Sequence, residues 1–167
     1  MESILRILGI DPGLAIVGYG VIDYDGYNMK LVDYGAINTP AKMWIPERLD
    51  IIFDSMTKLM ERFMPDDIAF EELFFQNNQK TAIDVAQARG VCVMAAYRLN
   101  NHIFEYTPLQ VKQAVTGYGK ADKMQVQIMV KTILGLSEIP KPDDAADAVA
   151  VAICHSQSVN YRNLNKY

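Results

Sequence analysis

The chain has 167 residues, half of them hydrophobic and 22% charged, with a net charge of −4 and two cysteines. That length supports one substantial core and little more, so a single domain over residues 1–167 is expected, with no cationic leader and no apolar run of membrane-spanning length. Cys92 and Cys154 lie in apolar, helical surroundings without a CxxC pairing, which argues against a zinc site or disulfide scaffold and suits a soluble, cytoplasmic protein.

In chain order, ILRILGID predicts a buried strand, and Pro12-Gly13 turns the chain sharply into a second, AIVGYGVIDY. Asp25-Gly26 is a strong hairpin signal and leads to a third strand, MKLVDYGAIN. From about Ile45 to Met64 the apolar residues recur at helical spacing (Leu49, Ile52, Phe53, Met56, Leu59, Met60, Phe63) until Pro65 stops the helix. DDIAFEELFF reads as a fourth strand, QNNQK as a polar loop, and TAIDVAQARGVCVMAAYRLN as a long helix in which Gly90 permits close approach by another backbone. HIFEYT is a fifth strand, and Pro108 opens the short helix LQVKQAVTG. GYGKADK is a flexible basic loop holding Lys120 and Lys123, MQVQIMVKTIL is a helix, and a last helix runs from about Asp143 to Val159 before a frayed YRNLNKY. Three strands, a helix, a strand, a helix, a strand and three helices predict an α/β fold: a mixed sheet with helices packed on its faces.

Four acids stand where charge is otherwise out of place: Asp11 in ILGIDPG, Glu71 in IAFEELFF, and Asp144 and Asp147 in PDDAADAVAVA. Each ends an apolar strand or opens an apolar helix. Taken singly, each has an ordinary reading, since helix N-termini attract acids anyway. Taken together they suggest one pocket, in which like charges repel unless divalent cations neutralise them. Asp144 and Asp147, three positions apart, share a helical face, whereas Asp143 points elsewhere. Glu71 and Glu72 face opposite sides of their strand, and alternation alone does not say which of them joins Asp11. Oxygen-only ligands favour a hard ion such as Mg²⁺ or Mn²⁺. Two such ions about 3.5–4 Å apart are the usual means of cleaving phosphodiesters, so the first functional expectation is a metal-dependent nuclease.

The net negative charge argues against a nucleic-acid partner, yet setting aside the four proposed ligands brings it to zero. Between Lys80 and Lys131 seven basic residues meet three acids, and that half of the chain could face a polyanion. His102 and His155 read as structural residues; with metals to activate water, no histidine base is needed.

Several motifs in order resemble the RuvC family of Holliday-junction resolvases: GIDPGLAIVGYGVI, FEELFFQNN with AQARGV, YTPLQVKQAVTGYGKADKMQVQIMV, and DDAADAVAVAICH. The likeness covers nearly the whole sequence. It implies an RNase H-like fold, a mixed five-stranded sheet flanked by helices, and it places the family's four acids on Asp11, Glu71, Asp144 and Asp147, choosing Glu71 over Glu72. It also implies phosphate contacts at Lys112 and Lys123, a supporting contact at Lys120, and an aromatic at the junction core at Phe74. The activity implied is Mg²⁺-dependent resolution of four-way DNA junctions during recombination and repair, by paired symmetric nicks that leave 5′-phosphate and 3′-hydroxyl ends, with two ions per site and Mn²⁺ substituting. Symmetric cutting of two strands calls for two sites about a two-fold axis; the resemblance therefore implies a homodimer, joined through the long helix near Ala86–Ala95, and branch-migration partners of the RuvA and RuvB type. Of three rival readings, one is a junction-binding protein whose site has lost its chemistry, against which all four acids are present; the other two differ in their substrate. GIDPG with a Gly-containing strand also looks like the phosphate hairpin of actin and sugar-kinase folds, which need two lobes, and an RNase H-like nuclease could act on hybrids or forks instead.

Overall fold

In the computed structural model residues 4–73, 79–100 and 102–159 are described. The apolar run at the start of the chain forms β1 (Leu5–Asp11), whose residues 7–10 are fully buried because the strand lies at the centre of the sheet with helices on both faces. β2 (Ile16–Tyr24) and β3 (Met29–Asn38) continue it as an antiparallel meander, with a register shift at Val21/Ile22. The hairpin between them closes at Asp25, which accepts the Tyr27 and Asn28 N–H groups at 2.9 and 2.7 Å. On the other side of β1 run β4 (Asp67–Glu71) and β5 (Ile103–Tyr106), both parallel to it, giving the order β3-β2-β1-β4-β5. This is the mixed five-stranded sheet expected.

Alternation along the strands feeds two cores. Leu8, Ile10, Val17, Val21, Ile68 and Phe70 face α1 (Ile45–Phe63) and α2 (Gln79–Leu99). Ile7, Ile22, Ala69, Phe104 and Tyr106 face α3 (Pro108–Thr116), α4 (Lys123–Ile133) and α5 (Asp143–Ser158). α1 ends at Phe63; Met64 takes a left-handed conformation and donates to the Met60 carbonyl at 2.9 Å before Pro65. Arg48 is buried within α1 and its Nε donates to the Thr39 hydroxyl at 2.8 Å, a burial the apolar pattern does not signal.

α5 is apolar nearly all round, buried from Ala145 to Ser156 except at Asp147, and lies between the sheet and α3 and α4. Three strand glycines make room for it. A side chain on Gly9 would collide with the Ala148 carbonyl, one on Gly18 with the Asp144 carbonyl, and one on Gly20 with Val149. At Gly90, expected to permit close approach by another backbone, no described atom outside its own helix turn lies within 4 Å of where its Cβ would be, so among the described residues that space is open. Two boundaries also shift: β4 ends at Glu71 rather than running on through Phe75, and α2 begins at Gln79, inside the expected polar loop. Phe74 and the terminal stretch 161–167 lie outside the described residues.

The far end of α5 is tied down by His155, which is fully buried between Tyr106 Oη (2.7 Å from Nδ1) and Asp67 Oδ2 (2.8 Å from Nε2). This is the structural placement expected of His155. Cys92 and Cys154 are buried free thiols, and burial pushes both up to about 12.

Candidate functional site

β1 and β4 are parallel neighbours paired through Ile10 and Phe70, so their next residues, Asp11 and Glu71, leave the sheet at the same end. Parity along the strands puts both on the α5 face: Asp11 follows Ile7 and Gly9, and Glu71 follows Ala69. Glu71 is the neighbouring acid whose charge acts on Asp11, while Glu72 lies beyond the end of β4. Asp11 pairs across β2 with Gly18, the glycine on which the Asp144 carbonyl rests. The bare backbone at Gly18 thus brings the first turn of α5, with Asp144 and Asp147 on one face, down beside Asp11.

Electrostatics report the same convergence. Burial, then the charges of Glu71, Asp147 and Asp144, push the Asp11 carboxyl from 3.8 up to about 8, against a lowering by Lys123. Burial and Asp147 push Glu71 from 4.5 up to about 7, against Lys112 and Lys123. Asp147 is raised chiefly by burial, with Lys123 opposing. A cluster of carboxyls that raise one another toward neutrality forms a donor set suited to a hard cation. Among the described residues no three acid or imidazole side chains stand in an arrangement that could hold a metal ion; the acids are gathered but not closed around a point.

Two lysines share the cleft. It has a volume of about 240 Å³ and is lined by Glu71 and Asp147, by Lys112 and Lys123, and by apolar residues of α3, α4 and α5. Lys112 is carried by α3, whose N-terminus is fixed by a capping box between Thr107 and Gln110. Lys123 differs from the expectation of a flexible loop. It is the first residue of α4, held behind the capping box of Asp122 and Gln125; Asp122, three residues before Gln125, is the local signal for that helix start. The Lys123 Nζ lies 2.9 Å from Asp147 Oδ2 and 3.9 Å from Asp143 Oδ2. Burial lowers its pKa, but Asp147, Asp143 and Asp144 outweigh that and raise it. Asp143 pairs with Lys141 at 2.9 Å on the rim of this cluster, with its other oxygen 3.9 Å from Lys123. Lys120 is exposed in the turn between α3 and α4.

A mixed sheet in this strand order, with an acid-bearing helix laid over its central strands, defines an RNase H-like nuclease fold. The profile of the family described as "Crossover junction endodeoxyribonuclease RuvC" matches residues 7–155. The chain is 57% identical to the protein of that name from Finegoldia magna over 97% of this chain and 99% of the relative, and 58% identical to that of Alkaliphilus oremlandii over 96% and 98%. Its structure resembles that of Thermus thermophilus RuvC in complex with Holliday junction substrate, with a TM-score of 0.90 and 34% identity over 97% of this chain and 98% of the other. The chain belongs to the RuvC family of crossover junction endodeoxyribonucleases.

Proposed function

We propose that this chain resolves four-way DNA junctions by paired symmetric phosphodiester hydrolysis, with Asp11, Glu71, Asp144 and Asp147 holding two Mg²⁺ ions, or Mn²⁺ in their place. The observation that carries the reading is the meeting of these four acids at the shared end of β1 and β4, beside Lys112 and Lys123. When bound, the ions supply an activated water and stabilise the departing 3′ oxygen, leaving 5′-phosphate ends. The chain's own residues do the rest. The carboxylates orient the ions, the apolar wall from Val111, Val126 and Ala150 limits water, and Lys112 and Lys123 bind phosphate without reading bases. Lys120 adds an exposed phosphate contact, and Phe74 stacks at the junction core, a contribution of about 1–3 kcal/mol for such contacts.

Two nicks require two copies. The outer face of α2 supports a homodimer: Ile83, Gly90, Met94 and Tyr97 form a stripe opposite the inner residues Ala88, Cys92 and Ala95, and Ile83, Met94 and Tyr97 are 56–63% exposed. Gly90, with open space around it, would let a partner helix come close there. The working partners implied are branch-migration proteins of the RuvA and RuvB type, and the setting is cytoplasmic; no helix among the described residues is long and apolar enough to cross a membrane. Cleavage of a synthetic four-way junction, compared with an RNA–DNA hybrid duplex, in Mg²⁺ and in Ca²⁺ tests the proposal. Cutting confined to the junction and to Mg²⁺ is expected; preference for the hybrid would overturn it.

A further inference from the structure

Building on the metal-centre reading above, we propose that the Lys123 ammonium is an exchangeable counter-ion of the acid cluster: it holds a cation's place at Asp147 and is released toward phosphate when a divalent ion arrives. Carboxylates gathered in a partly buried cleft need positive charge close by. Lys123 Nζ, 2.9 Å from Asp147 Oδ2 and 3.9 Å from Asp143, is placed to supply it. An oxygen that accepts from an ammonium at that distance has one lone pair engaged, and a cation approaching it meets a like charge within a few ångströms, so the two cations compete.

The surroundings suit exchange rather than a permanent bond. The backbone of Lys123 is clamped at the first position of α4 by the Asp122–Gln125 capping box, so only the flexible side chain has to move. That side chain is 55% exposed, which lets the ammonium swing into water at small cost, as for other half-exposed pairs. Asp143 keeps a partner when Lys123 leaves, because Lys141 already stands 2.9 Å away. The other cleft lysine, Lys112, makes no ion pair with an acid among the described residues and provides a comparison of equal charge. Exchange makes cation and DNA binding mutually reinforcing: a phosphate that takes up Lys123 frees Asp147, and an ion at Asp147 frees Lys123, each by the same factor.

The test is calorimetric titration of Mn²⁺ into the DNA-free full chain for wild type, Lys123→Met, Lys123→Gln and Lys112→Met. Both Lys123 variants should bind Mn²⁺ roughly five- to tenfold more tightly than wild type, and Lys112→Met by less than about twofold. Equal tightening in all three variants would reduce the effect to a general field and overturn the exchange, and unchanged or weaker binding in the Lys123 variants would do the same. If no protein binds Mn²⁺ saturably, the metal-centre reading itself falls and the exchange falls with it.

Discussion

Replacing Asp11 with Asn should make the metal-free protein more stable while destroying its activity. In the fold the Asp11 carboxyl is pushed up to about 8 by burial and by Glu71, Asp147 and Asp144, against 3.8 for the free side chain. Between those two values the unfolded chain has released a proton that the folded chain still holds. Stability therefore falls as pH rises from about 4 to about 8. Each pH unit separating the folded and unfolded titration midpoints is worth about 1.4 kcal/mol, so at pH 8 this one acid opposes folding by on the order of 3–5 kcal/mol. Asn keeps the shape, removes the charge and relieves Glu71, so in chelator at pH 8 a gain of about 2–4 kcal/mol is expected, or roughly 5–15 °C in Tm for a chain of this size. Near pH 4.5 the gain should shrink to about 1 kcal/mol or less, because the folded wild-type acid is protonated there and the unfolded chain is less than one pH unit past its midpoint of 3.8. Thermal unfolding of both proteins at pH 4.5, 6 and 8, with and without Mg²⁺, reads this directly. Mg²⁺ should raise the Tm of wild type well above its effect on the variant. A variant no more stable than wild type at pH 8, or one whose gain is independent of pH, would refute the view that Asp11 is a buried acid strained by its neighbours.

Asp11→Asn should also lose junction cleavage by at least about a thousandfold in a single-turnover assay yet keep its junction affinity, since affinity rests on lysines and shape. Gly18→Ala sets a Cβ against the Asp144 carbonyl; a loss of about 1–3 kcal/mol in denaturant unfolding is expected, together with lost cleavage, and an unchanged midpoint would show that α5 does not rest on that glycine. Lys112→Met should weaken junction binding and flatten the salt dependence of log K by about one charge, which a salt series by anisotropy measures. Met94→Asp on the outer face of α2 should give monomers by light scattering and singly nicked junctions; intact dimers would place the interface elsewhere.

The elements and their order are readable because each follows a strong local period: continuous apolar runs for β1 and β4, helical spacing for α1, and Asp-Gly or Pro-Gly at the turns. Asp144 and Asp147 are readable as a pair because a helix places positions three apart on one face. The choice of Glu71 over Glu72 is not, since it depends on which face of β4 carries α5, a tertiary fact. At Lys123 the preceding glycines point to a loop, although Asp122 and Gln125 carry the capping box that starts α4. The glycine platform is hidden for a related reason. Gly9, Gly18 and Gly20 mean little one strand at a time, whereas the spacing of two between Gly18 and Gly20 and the pairing of Gly9 with Gly20 across β1 and β2 leave one face bare for the alanines of α5. Gly90 shows the converse: a helical glycine suggests close approach, but whether the neighbour belongs to the same chain is not written locally.

The function proposed for this chain requires that Asp11, Glu71, Asp144 and Asp147 hold divalent ions together. Anomalous diffraction from crystals soaked in Mn²⁺ shows this without recourse to activity. Two peaks about 4 Å apart and within about 2.3 Å of oxygens from β1, β4 and α5 are expected. Manganese found only at other carboxylates, with Lys123 still seated on Asp147, would contradict it.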